Sequence, residues 1–101
     1  KSVLDLIRVV PNPYYGHSYY ESSGTRTVKI TNLPTEAVIS IYNVSGRLIR
    51  RFNKTTDPSW LEWNLRTTYN QPIAGGVYLI HIKAPGIGEK VIKWFGALSD
   101  I

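Results

Sequence analysis

No stretch of this chain carries a helical period. Its apolar residues fall instead in short runs of β-type residues, and each run stops at a proline, glycine or asparagine. That punctuation is the strongest constraint on the fold, because short strands bury little alone and must pack as sheets. Three strings set the main stops: Pro11-Asn12-Pro13, Ile41-Tyr42-Asn43-Val44-Ser45-Gly46-Arg47-Leu48-Ile49, and Ala74-Gly75-Gly76-Val77-Tyr78. Residues 3–10 read as a first strand halted by Pro11. Residues 14–24 read as irregular, with Gly16, Gly24 and several serines. Residues 25–33 alternate, with Val28 and Ile30 on one face. Residues 37–44 and 47–53 read as a hairpin around Ser45-Gly46, where glycine tolerates a positive φ. Residues 60–65 alternate again, placing Leu61, Trp63 and Leu65 together. Residues 77–83 and 89–95 form the last two runs, joined by Pro85-Gly86-Ile87-Gly88. An all-β fold follows: an immunoglobulin-like antiparallel β-sandwich of about seven strands.

The length bounds the rest. A chain of 101 residues is a single domain, 1–101. Two packed sheets of short strands suffice to bury its core. The chain starts at Lys1 and has no methionine, which is expected of a processed product or an excised fragment. No apolar run approaches the roughly 20 residues of a membrane span, and no basic-then-apolar leader is visible. There is no cysteine, so disulfides and thiolate metal sites are excluded. The net charge is +5, which suits solubility or an acidic partner. The basic residues are scattered except for Arg47, Arg50, Arg51 and Lys54. No aromatic-basic signature of nucleic-acid binding appears, so no nucleic acid is expected.

Candidate chemistry is sparse. His17 falls in the tyrosine-rich segment, and His81 lies mid-strand opposite Ile80 and Ile82. Nothing converges with them as metal ligands must. The acids stand singly, no Gly-x-Ser-x-Gly elbow occurs, and the glycines at 75, 76, 86 and 88 suit turns rather than a phosphate loop. No catalytic, metal or cofactor site is expected, and an enzyme is not. Asn43-Val44-Ser45 and Asn53-Lys54-Thr55 match the glycosylation acceptor pattern, yet both sit where turns favour the same residues. Tyr14, Tyr15, Tyr19 and Tyr20 either form a recognition loop or cover the open end of the sandwich. The terminal strand is expected at a sheet edge, with free N–H and C=O groups. Lys90 and Lys93 on it would steer an acidic partner.

The ordered strings resemble the C-terminal sorting domain of proteins exported by the type IX secretion system of Bacteroidetes. The likeness runs from Val9-Val10-Pro11-Asn12-Pro13 through Ile39-Ser40-Ile41-Tyr42-Asn43-Val44-Ser45-Gly46-Arg47-Leu48-Ile49 and Leu61-Glu62-Trp63-Asn64. It continues through Pro72-Ile73-Ala74-Gly75-Gly76-Val77-Tyr78 to Glu89-Lys90-Val91-Ile92-Lys93. The resemblance implies a sorting signal that directs its parent through the outer-membrane type IX translocon. The partners it implies are the translocon and its shuttle protein, with a sortase-like peptidase. The location it implies is secreted or cell-surface. It places partner binding on the last strand: Lys90, Val91, Ile92 and Lys93, extended here to Trp94 and Phe95. The chain departs from that pattern by continuing through residues 94–101. A different reading is an adhesion or carbohydrate-binding module using the tyrosines with Trp60 outward. A third is a spacer without a partner of its own.

Overall fold

A computed structural model describes residues 3–17 and 26–99. Among the described residues, eight strands form two sheets: β1 (Arg8–Val10), β2 (Tyr14–His17), β3 (Val28–Thr31), β4 (Ala37–Asn43), β5 (Leu48–Lys54), β6 (Leu61–Trp63), β7 (Gly76–Ala84) and β8 (Gly88–Ser99). The smaller sheet has the order β1-β3-β6 and the larger β2-β8-β7-β4-β5. All pairings are antiparallel except β2 with β8, which is parallel. The expected all-β sandwich is therefore present.

Three elements differ from the sequence reading. Residues 3–10 split into a 3-10 helix, Val3–Leu6, and the short β1. Leu4 and Ile7 are buried three apart, which is the repeat of a 3-10 turn rather than of a strand, and Val9 follows two on as the inward residue of β1. Residues 14–17 are a strand. Tyr14 and Gly16 point inward and Tyr15 outward, but a glycine at an inward position leaves no apolar alternation to read. The final strand is longer than residues 89–95, and β2 covers its Gly96–Ser99 part, so the expected sheet edge is kept only before that.

The core lies between the sheets. Ile39, Ile41, Ile80 and Ile82 come from the larger sheet, and Val28, Ile30 and Trp63 from the smaller. Each fully buried side chain of this kind contributes roughly 1.5–3 kcal/mol before entropy. An aromatic cluster fills one end: Trp63 and Trp94 meet edge to face at 5.6 Å, with Tyr78 5.9 Å and Tyr14 6.5 Å from Trp94. Every polar tip of this cluster that is fully enclosed has a partner. Trp63 Nε1 donates to Arg66 O at 3.0 Å, Trp94 Nε1 to Pro11 O at 3.0 Å, and Tyr78 Oη to Ala74 O at 2.6 Å. Burial pushes the Tyr78 phenol up from its ordinary value.

The three strings hold this frame. Pro11-Asn12-Pro13 carries the chain from the smaller sheet to the larger, and both X–Pro bonds are cis. Asn12 fixes the crossing: its Nδ2 donates to Lys93 O at 2.9 Å, and its Oδ1 accepts from Phe95 N at 3.4 Å. Asn43 builds the hairpin turn, its Oδ1 accepting from Ser45 N at 3.0 Å and Arg47 N at 2.9 Å. Gly46 follows at φ 86°. In the third string, Gly75 packs against the backbone of Gly96 and Leu98, where a Cβ would come within 3.2 Å.

Candidate partner-binding surface

The six residues expected to bind a partner occupy consecutive positions of β8, so the pleat divides them. Val91, Lys93 and Phe95 lie on the outer face of the larger sheet and are exposed. Lys90, Ile92 and Trp94 point inward. Trp94 is fully buried in the core and Ile92 packs against it. Trp94 is thus a core residue that a partner cannot reach in the folded domain. The edge expected for β8 exists only in part. From Gly96 to Ser99 it is covered by β2, and from Lys93 to Phe95 it is capped by Asn12.

The tyrosines also separate. Tyr14 is buried against Trp94, which is the covering role. Tyr15 is 74% exposed on the outer face of the larger sheet. Tyr19 and Tyr20 lie outside the described residues. Trp60 stands on the outer face of the smaller sheet, with Lys29 Nζ 4.7 Å from its ring centroid. Tyr15 and Trp60 therefore face opposite sides of the sandwich and form no common platform.

Between Tyr15 and Phe95 runs a shallow cleft of about 550 Å³ floored by Gly75, Gly76 and Gly96. It continues into a half-apolar face carrying Leu79 and Val91, with Lys83, Lys93 and Arg51 among them. The acid on this part of the face is Glu89. His81 Nε2 lies 2.8 Å from Glu89 Oε1, and this hydrogen bond holds the Glu89 carboxyl below its ordinary value.

The basic run near the hairpin is occupied structurally. Arg50 stacks on Phe52 at 4.6 Å and reaches Arg66 O. Arg51 Nε donates to Ser40 Oγ at 2.9 Å. Lys54 Nζ donates to three backbone carbonyls, those of Pro34, Thr35 and Thr56. No group of three or more His, Cys, Asp or Glu side chains is placed to hold a metal among the described residues. No helix there is long and apolar enough to cross a membrane.

Sequence reasoning missed Asn12 as the residue that joins the sheets at β8. The signal was an asparagine between two prolines, whose backbone the following proline restricts to extended conformations.

Solved structures give the comparison. A segment of PorZ, an essential bacterial surface component of the type IX secretion system of Porphyromonas gingivalis, matches 92% of the chain with 28% identity and a TM-score of 0.71. The chain carries the immunoglobulin-like fold of a type IX secretion component. Dimeric latent PorU from the same organism matches 94% of the chain at 20% identity and TM-score 0.58, which shows the fold alone. CopC from Methylosinus trichosporium OB3b does likewise at 16% identity and TM-score 0.53, over 92% of this chain and 90% of that one. The chain spans only 12% of the PorZ chain and 9% of the PorU chain. No protein-family model matches it, and no curated protein does.

Proposed function

We propose that this domain works in type IX secretion as a sorting signal, an address rather than a catalyst. It directs its parent protein through the outer-membrane translocon to the cell surface or the medium. The observation that carries the reading is the 28% identity to PorZ over 92% of the chain. The three strings and the Lys90–Lys93 segment, in family order, support it independently. The translocon and its shuttle protein are the proposed partners, with a sortase-like peptidase acting on the parent. They would read the outward residues of β8, Val91, Lys93 and Phe95, while the exposed cations attract an acidic surface. Of the aromatics in the carbohydrate-binding alternative, Tyr15 and Trp60 point apart.

The test is export. A reporter fused to residues 1–101 is expected on the surface or in the medium of a type IX-competent host and in the periplasm of a translocon-deficient one. Periplasmic retention in the competent host, beside normal export of a control cargo, counts decisively against the reading.

A further inference from the structure

Tyr15 and Phe95 stand 74% and 41% exposed on the outer face of the larger sheet, with the cleft between them. Its glycines keep that cleft empty. A Cβ at Gly75 would come within 3.2 Å of the β8 backbone, and one at Gly96 within 2.6 Å of Trp94. Gly76 has φ 146°, a conformation that favours glycine, and a Cβ there would meet nothing within 4 Å. Packing and backbone conformation therefore explain the bare floor. They do not explain Tyr15, whose ring buries little apolar area where it stands.

The register carries the same face onward. Tyr15 lies beside Ala97 of β8, Phe95 beside Val77, Lys93 beside Leu79, and Val91 beside His81. From Ala97 to Glu89 along β8, and from β2 to β4 across, this face measures roughly 26 by 15 Å between backbone centres. A partner covering it buries on the order of 1,000 Å² over both surfaces, which is the size of a transient contact. Along β8 the charged side chain nearest the cleft is Lys93, and it is exposed. Lys83 and Arg51 lie further along the face, and Glu89 stands at its far end, held by His81. A second copy of the chain is a poor occupant. A two-fold contact sets a face against itself, and here that brings cation toward cation in a chain of net charge +5.

We infer that this cleft seats an aromatic side chain of a partner protein, carried on an extended segment whose carboxylates run toward Lys93. A flat ring laid on the glycine floor meets the rings of Tyr15 and Phe95 on either side. Aromatic anchors set in a depression carry most of the energy of an interface, while the contacts around them exclude water. Lys93 supplies the charge selection. An extended chain turns alternate side chains to one side, so acids two and four residues beyond the ring span the roughly 13 Å from Ala97 to Lys93. The inference rests on the sorting reading for the partner's place in secretion, and it names the chemistry that the outer face takes.

The probe is the peptide acetyl-Gly-Trp-Ser-Glu-Ser-Glu-amide, titrated into isotope-labelled residues 1–101 and followed by amide NMR. One control peptide replaces Trp by Ala, and the other replaces both Glu by Lys. Saturable shifts are expected at Gly75, Gly76, Ala97 and Lys93 with the probe, and binding at least about tenfold weaker with either control. Tyr15→Ser removes one wall from an exposed position, and is expected to weaken binding by a similar factor with the melting temperature retained. Lys93→Glu is expected to invert the preference between the Glu and Lys peptides. If Tyr15→Ser fails to fold, Lys93→Glu decides alone. Unmoved Gly75 and Gly76 amides, equal binding of either control, or binding insensitive to these variants overturns the inference. A peptide-free dimer whose Gly75 and Gly76 amides shift with protein concentration also overturns it, because a second copy then holds the face. Export of the reporter without peptide binding refutes the cleft and spares the sorting role. Peptide binding without export does the reverse.

Discussion

At the scale of single residues, the aromatic cluster sets the tightest constraint. Gly96 faces inward beside Trp94, and a Cβ there would lie 2.6 Å from Trp94 Cη2. The indole cannot retreat, because its ring packs on Trp63, Tyr78 and Tyr14 and its N–H is tied to Pro11 O. Overpacking a filled core costs about 1–3 kcal/mol. Gly96→Ala is therefore expected to lower stability by about that amount, read as a reduced midpoint in denaturant with the slope unchanged. An unchanged midpoint would mean that Trp94 has room the packing denies. The same residue explains why partner binding could not be assigned along β8 by sequence alone. Six adjacent side chains look alike as a motif, yet the pleat sends Trp94 into the core and Phe95 to solvent.

At the scale of elements, the β7–β8 hairpin carries a pH-dependent contact. His81 and Glu89 face each other on its outer side, and the hydrogen bond from His81 lowers the Glu89 carboxyl. A depressed carboxyl favours the folded state above its unfolded value, and that contribution fades as pH falls through the folded value. His81→Ala is expected to move the Glu89 titration, followed by side-chain carboxyl NMR, upward toward its ordinary value. Parent and variant should then lose less and less relative to each other as the carboxyl protonates in both. Identical Glu89 titrations in the two proteins would refute the coupling. Most strands were legible because their inward positions hold Ile, Val or Trp at period two, as in β4 and β7. β2 was not, since its inward pair is Tyr14 and Gly16. The 3-10 turn was hidden in an aliphatic run continuous with β1, and only the Leu4–Ile7 spacing betrays it. The position of β8 inside its sheet depends on β2, so the edge could not be placed until that strand was known.

At the scale of the whole molecule, the end of the described chain is structural as well as a candidate address. β2 is held in its sheet by residues Gly96–Ser99, in register Tyr14↔Gly96 to His17↔Ser99. Tyr14 in turn covers Trp94. Removing the end of β8 should therefore release β2, uncover the aromatic cluster and loosen the crossing at Pro11. Loss of the Tyr14 burial alone would cost roughly 1.5–3 kcal/mol, and the lost ladder adds to it. A chain ending at residue 95 is expected to show a much weaker near-ultraviolet aromatic signal and a lower, broader melting transition than residues 1–101. Export lost by such a truncation would say nothing about recognition, because folding fails first. Lys93→Glu in the full domain separates the two effects. Its side chain is exposed and only its backbone carbonyl is bonded to Asn12, so stability should stay within about 0.5 kcal/mol. Impaired reporter export by that folded variant would assign the defect to recognition on the outer face. A truncated chain that melts as the parent does would instead show that β2 contributes nothing to the frame, and would return the last residues to a purely recognitional role.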